Sequence, residues 1–217
     1  MTNKIHTIIF DLDGTLSDSG ILTLAAMETV APQHGLPVPT MEDIRKATGH
    51  PNPVFYYILF PDSDKDMIYK MGQQVEREEE GMLSATKDKL LFPGCRELLH
   101  GLKEMGIRLC IASTGDHDHV HGILNATGII DLFDRIECGR PDKFDMLREM
   151  TRDGEKAGYI MVGDMMKDSE GARANGIVSV GACYGYCKRE LGEFDYYIDA
   201  PRELMDIIDK LEKDEWK

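Results

Sequence analysis

The sequence predicts an α/β fold, a parallel sheet with helices on both sides, interrupted by an inserted all-α domain. Three observations predict it. Short, nearly continuous apolar runs recur along the chain, helical patterns alternate with them, and one long stretch after the first run holds helical patterns only. Apolar runs without polar alternation are the mark of strands buried on both faces. Strands alternating with helices argue for a parallel sheet covered on both sides.

The first run is Ile5-His6-Thr7-Ile8-Ile9-Phe10, stopped by Asp11-Leu12-Asp13-Gly14. Residues 17–92 then show no convincing strand. Ile21, Leu22, Ala25, Ala26 and Val30 mark one helix, and Met67, Ile68, Met71, Val75 and Met82 mark a longer one. Gly35-Leu36-Pro37-Val38-Pro39 and Gly49-His50-Pro51-Asn52-Pro53 punctuate them. About 75 residues of helix far exceed a simple crossover between parallel strands, for which about a dozen suffice. We therefore expect a helical domain over 17–92 and a sheet domain formed by 1–16 and 93–217. An insertion at the C-terminal edge of the first strand overhangs the place where open α/β sheets bind ligands.

Further strands are expected at Ile107-Arg108-Leu109-Cys110-Ile111-Ala112, Tyr159-Ile160-Met161-Val162 and Ile177-Val178-Ser179-Val180. Leu98, Leu99, Leu102 and Met105 form a helical stripe between Pro93-Gly94 and Gly106. Leu204, Ile207, Ile208 and Leu211 form another after Pro201. The charge run Glu76-Arg77-Glu78-Glu79-Glu80 reads as a solvated helix face.

Composition bounds the partners. The chain has 217 residues, 42% hydrophobic and 29% charged, which suits one globular domain with an insertion rather than a disordered or fibrous chain. A net charge of −14 repels nucleic-acid backbones and anionic lipid surfaces, so neither is expected as a partner. A small phosphorylated molecule stays open, because a local cation reverses the field inside one pocket. No run of about 18 apolar residues occurs, and the opening Met1-Thr2-Asn3-Lys4-Ile5-His6 leads into too short an apolar stretch for a signal peptide. The five cysteines, Cys95, Cys110, Cys138, Cys183 and Cys187, match neither a redox pair nor a zinc site. A reduced, cytoplasmic protein is expected, as a monomer or a homodimer.

Four motifs stand at strand ends or helix starts. Asp11-Leu12-Asp13-Gly14-Thr15 follows the first strand, and the pleat sends Asp11 and Asp13 to the same side. Such carboxylates suit a hard cation, an attack on an electrophile and a proton transfer; an Asp-Gly turn is the plainer reading. Ser113-Thr114-Gly115-Asp116 places a hydroxyl and fresh backbone donors before a helix, an anion site or an ordinary N-cap. Lys143 opens a helix and is either a balancing cation or a surface lysine. Val162-Gly163-Asp164-Met165-Met166-Lys167-Asp168 puts carboxylates at a further strand–helix junction, where acids also stabilise helix starts.

Together and in this order, Asp-x-Asp-Gly-Thr, Ser-Thr after a strand, Lys, and Gly-Asp-x-x-x-Asp resemble the four signature motifs of the haloacid dehalogenase superfamily. The resemblance runs from Ile8 to about Leu204. The insertion after the first motif is similar to the helical, C1-type cap of its phosphoglycolate phosphatase-like branch, as are Val180-Gly181-Ala182-Cys183-Tyr184-Gly185-Tyr186 and Asp195-Tyr196-Tyr197-Ile198-Asp199. It implies a Rossmann-like core under an all-α cap. It also implies a Mg²⁺-dependent phosphatase acting on a small phosphate monoester, phosphoglycolate among the candidates. Pyrophosphatase, nucleotide phosphatase, phosphoryl transferase and non-catalytic binding roles remain open beside it.

By that resemblance Asp11 is the nucleophile, and Asp13 protonates the leaving oxygen and then activates water. Mg²⁺ would be held by Asp11, the Asp13 carbonyl and Asp164. Ser113 and Thr114, with Gly14 and Thr15 of the first loop, would hold the transferred group, and Lys143 would neutralise charge there. Asp168 would orient Lys143 or a metal-bound water. Arg45 and His50, in the loop between two cap helices, would reach substrate. Departures matter. The lysine stands in Pro141-Asp142-Lys143-Phe144 rather than before a proline, and Asp13 argues against dehalogenation. Thr23 occupies the position where a sugar-phosphate mutase would carry a cap histidine, and Lys46 lacks the surroundings of a phosphonatase lysine. His117, His119 and His121 invite a transition-metal site, but an exposed helix start is the expected reading.

Overall fold

The computed structural model describes residues 5–186 and 193–213; Met1–Lys4, Cys187 and the remaining positions lie outside the described residues. Strands β1 (Thr7–Phe10), β2 (Arg108–Ala112), β3 (Arg135–Glu137), β4 (Tyr159–Gly163), β5 (Val178–Ala182) and β6 (Tyr196–Ile198) form one sheet in the order β3-β2-β1-β4-β5-β6. Every neighbouring pair is parallel. β1 is buried at all four positions, as its unbroken apolar run requires. The strand order reverses direction at β1, so the crevice at the ends of β1 and β4 is where this architecture binds ligands.

Two apolar clusters cover the two sheet faces. Ile8, Phe10, Leu109, Ile111 and Val162 meet Leu99 of α5 (Cys95–Glu104) and Ile208 of α9 (Glu203–Lys213). Ile9, Cys110 and Met161 meet Met146 and Leu147 of α7 (Lys143–Met150) and Ala172 of α8 (Met166–Asn175). α6 (His117–Ala126) follows β2 and begins beside the crevice.

Between β1 and β2 lie α1 (Gly20–Val30), α2 (Met41–Ala47), α3 (Val54–Leu59) and α4 (Lys65–Thr86). They enclose a third cluster, with Met27, Ile44, Tyr56, Ile68 and Met71 at its centre. Thr40 starts α2 with a reciprocal cap to Asp43, and the Asp64 carboxylate caps α4 through the Met67 N–H. The chain leaves and re-enters the sheet region along adjacent antiparallel segments. There Asp18 N–H donates to the Leu90 carbonyl at 2.8 Å, and Phe92 N–H to that of Leu16 at 3.0 Å. No helix among the described residues is long and apolar enough to cross a membrane. Cys95, Cys110, Cys138 and Cys183 are free thiols.

Candidate active site

The residues of the four motifs gather at one end of the sheet. Asp11 follows β1 and its N–H donates to Val162 of β4 at 2.9 Å, which sets Asp11 beside Asp164 at the neighbouring strand end. Lys143, the first residue of α7, is 2% exposed and reaches over the strand ends. Its Nζ lies 2.7 Å from Asp11 Oδ1 and 2.9 Å from Asp168 Oδ1, and it also donates to the Ala112 carbonyl. Asp168 is fully buried at the start of α8, where its Oδ2 accepts the N–H groups of Asp164 and Met165. Gly163 permits that approach, because a Cβ there would run into the Asp168 carboxylate. Thr15 Oγ1 donates to Asp164 Oδ1 at 2.9 Å, and Leu12 N–H donates to Asp11 Oδ1 at 2.8 Å. Gly14 turns the loop at φ +80°, and a Cβ there would stand 2.5 Å from Asp164 Oδ2.

Three carboxylates around one ammonium leave excess negative charge. Burial pushes the Asp11 carboxyl up to about 7 against the pull of Lys143. Burial, then Asp11 and Asp168, drive Asp164 well above the usual carboxylate range. Burial opposes the charge on Lys143, but Asp11 and Asp168 outweigh it and raise the ammonium's pKa. Asp164 Oδ2 is buried without a hydrogen-bond partner, and carboxylate oxygens of Asp11, Asp164 and Asp168 all lie within 4.8 Å of one another. Hard oxygen donors, a spare buried oxygen and surplus negative charge fit a divalent cation. Asp168 is already engaged by Lys143 and two backbone N–H groups, which leaves Asp11 and Asp164 as the better side-chain donors.

Asp13 adjoins this cluster and pairs outside it. Its Oδ1 lies 2.9 Å from His119 Nε2, on α6. Burial pushes Asp13 up, but the charge and hydrogen bond of His119 outweigh it and hold the carboxyl below its ordinary value. In turn burial lowers His119, and Asp13 more than offsets this, so the imidazole rises to about 9. The histidine trio therefore splits. His117 and His121 stack at 4.0 Å, while His119 turns inward to Asp13. Glu79 of α4 joins the same region: burial takes it to about 7 against the opposing influence of His119 and a hydrogen bond from Thr23. The stretch 76–80 is thus only partly a solvated face, since Arg77, Glu78 and Glu80 are exposed whereas Glu76 and Glu79 are partly buried.

Neither His119 nor Glu79 was picked out by the motifs, yet both carry a helical signal. At about 100° per residue, a stacked pair at 117 and 121 sends 119 to the opposite face. Glu79 follows Ile68, Met71 and Val75 along the inward stripe of α4.

A cavity of about 260 Å³ opens beyond Asp13, between α6 and helices α1–α4; His50, Tyr56, Glu79, Thr114 and His119 line it. Ser113 is 1% exposed, and its Oγ accepts the Gly115 N–H at 3.1 Å. Thr114 Oγ1 and Lys167 Nζ both donate to the Gly49 carbonyl, at 3.3 and 2.8 Å, so the loop after α2 is held down against the sheet. His50 sits in that loop with Nδ1 against the Ala47 carbonyl at 3.0 Å. Arg45 stands outside the cavity lining, with its guanidinium 3.7 Å from Asp18 and 4.9 Å from the centre of the Tyr186 ring.

The family model for haloacid dehalogenase-like hydrolases matches residues 8–182, and the chain belongs to that family. It is 27% identical to a phosphoglycolate phosphatase of Synechococcus elongatus, over 95% of this chain and 99% of that one. It is 22% identical to an N-acetylmuramic acid 6-phosphate phosphatase of Pseudomonas aeruginosa, over 95% and 96% of the two chains. The fold is shared with a crystal structure described as a predicted phosphoglycolate phosphatase of Haemophilus somnus. That likeness has a TM-score of 0.84 at 22% identity and covers 95% of this chain and 99% of that one.

Proposed function

We propose that the protein is a Mg²⁺-dependent phosphatase that hydrolyses a small phosphate monoester through an aspartyl-phosphate on Asp11. The observation that carries this reading is the Lys143 ammonium held at 2.7 Å from Asp11 and 2.9 Å from Asp168, beside an Asp164 oxygen that has no partner. Names of relatives that contain phosphatase support it.

Leu12 N–H and Lys143 hold Asp11 Oδ1, which leaves Oδ2 to attack phosphorus. The Ser113 hydroxyl accepts from Gly115, so its proton is free to donate to a phosphoryl oxygen, next to the Thr114 N–H. Gly14 and Thr15 shape the first loop around the same group, and Thr15 fixes Asp164. Asp11, Asp164 and the Asp13 carbonyl would hold Mg²⁺, which when bound would supply the positive charge that lets a phosphate dianion enter among carboxylates. Asp13 delivers a proton to the leaving oxygen, and His119 Nε2 stands behind its Oδ1 to fix the carboxylate and pass it a proton. In the second step Asp13 takes a proton from the water that hydrolyses the aspartyl-phosphate.

Helices α1–α4 act as a cap over residues 17–92, on a core formed by 1–16 and 93–217. Their separate apolar cluster and the paired linkers at Asp18–Leu90 and Leu16–Phe92 support this division. Free thiols among the described residues suit a reduced, cytoplasmic setting.

The test is release of inorganic phosphate from a panel of monoesters, pyrophosphate and nucleotides, with and without Mg²⁺. Release from at least one compound, abolished by EDTA and by Asp11→Asn, is expected. No release from any compound by folded, Mg²⁺-supplied protein would overturn the reading.

A further inference from the structure

Resting on the phosphatase reading, the nature of the leaving group can be taken from the cavity wall. Asp13 serves the leaving oxygen, so the alcohol half of the substrate lies on the Asp13 side of phosphorus. The cavity of about 260 Å³ opens on that side, and Asp13 itself lines it.

Its wall mixes hydroxyls of Ser19, Thr23 and Thr114 with groups able to accept hydrogen bonds. Asn52 Nδ2 donates one of its two N–H groups to Glu76 Oε1 at 2.7 Å, which leaves its carbonyl oxygen and one N–H for a ligand. His50 places Nδ1 against the Ala47 carbonyl at 3.0 Å, so Nδ1 carries a proton and Nε2 is the ring atom left for the cavity. Glu79 adds a carboxyl group. Tyr56 is 2% exposed and lines the cavity, and its hydroxyl has no hydrogen-bond partner among the described residues. Its ring is fixed in place by Gly72 of α4, where a Cβ would stand 2.5 Å from the ring.

Among the described residues no lysine or arginine lines the cavity, and the imidazole of His119 is paired with Asp13. An adjoining groove between α4 and α6 is acidic, lined by Glu76, Glu79, Glu80, Asp116 and Asp118 and, among the described residues, by no lysine or arginine. Arg45, the guanidinium best suited to a substrate carboxylate, is turned to Asp18 and Tyr186 instead. A carboxylate entering here would face the acidic groove with no lysine or arginine among the described residues to pair with, whereas a hydroxyl or ammonium would find acceptors in Glu79, Tyr56 and the Asn52 carbonyl oxygen.

We propose that the preferred substrate is a phosphate monoester whose leaving alcohol brings hydroxyl or ammonium donors and no anionic group, bound through Glu79, Tyr56, Asn52 and His50. Phosphoglycolate, whose leaving alcohol carries a carboxylate, is then a poor substrate.

Steady-state kinetics on size-matched esters test this: 2-phosphoglycolate, phosphoethanolamine, glycerol 3-phosphate and erythritol 4-phosphate, with p-nitrophenyl phosphate as reference. The best donor-bearing ester is expected to exceed phosphoglycolate in kcat/KM by about tenfold or more, the scale of a site that rejects a mismatched polar group. Comparison of the ammonium ester with the polyol esters separates the two kinds of donor. Glu79→Gln is expected to shrink that preference by about fivefold, chiefly through KM, and Tyr56→Phe to raise KM for the preferred ester. Phosphoglycolate turned over as well as or better than every donor-bearing ester would overturn the inference and leave the phosphatase reading standing. Failure to release phosphate even from p-nitrophenyl phosphate would overturn both.

Discussion

His119 Nε2 lies 2.9 Å from Asp13 Oδ1, joining the second helix-start motif to the second aspartate of the first loop. The contact holds the carboxylate that, in the proposed reaction, would face the leaving group. His119→Asn is therefore expected to lower kcat by about 10- to 100-fold with little change in KM, within the range of acid–base contributions. The loss should be smaller for p-nitrophenyl phosphate, whose leaving group needs little protonation, than for an alkyl phosphate. Equal losses on both substrates would assign His119 a structural role only.

Among the described residues Lys143 is the one cation set among Asp11, Asp164 and Asp168. Removing one partner of a buried ion pair typically costs about 3–5 kcal/mol. Lys143→Met is expected to show a loss of that order in urea unfolding with EDTA present, and adding Asp168→Asn should recover part of it. Unchanged stability in the single variant would mean that the lysine is not held as described.

Glu79 gives a pH signature in stability. Burial raises its folded pKa from 4.5 to about 7, with His119 and Thr23 pulling down and Asp13 and Glu76 pushing up. An acid whose folded pKa is raised contributes stability that is present below its unfolded pKa and is lost as pH rises through the folded value. Glu79→Gln should therefore gain about 1–3 kcal/mol over the parent protein at pH 8, and nothing at pH 4.5. Parallel stability–pH curves for the two proteins would contradict the burial of this carboxyl.

The Gly49 carbonyl is gripped by Lys167 and Thr114. Lys167→Met loosens the loop that carries His50, and KM is expected to rise about three- to tenfold while kcat changes less, as for a closure element. A KM indistinguishable from that of the parent protein would show that this grip does not help hold substrate.

Much of this was legible in the sequence because the physics was local. β1, β2, β4 and β5 are buried at nearly every position and read as apolar runs. β3 and β6 were not foreseen, because each is an edge strand of three residues, only partly buried, with Arg135 and Glu137 or two tyrosines in it. Asp11, Lys143, Asp164 and Asp168 were legible because each stands at a strand end or helix start. His119 and Glu79 were not, since their roles come from α6 and α4 meeting in space. The contacts of Arg45 with Asp18 and Tyr186 were not legible either, since they too arise only in the folded chain.

The aspartyl-phosphate on Asp11 is tested most directly by acid-quench mass spectrometry of the Asp13→Asn variant with p-nitrophenyl phosphate and Mg²⁺. This substrate needs no acid to depart, whereas hydrolysis of the intermediate needs the missing base, so phosphoenzyme should accumulate. The expected result is one phosphoryl group on the peptide that carries Asp11, absent when Asp11→Asn is added. Phosphate on another residue such as His119, or turnover with no phosphoenzyme at any quench time, would contradict it.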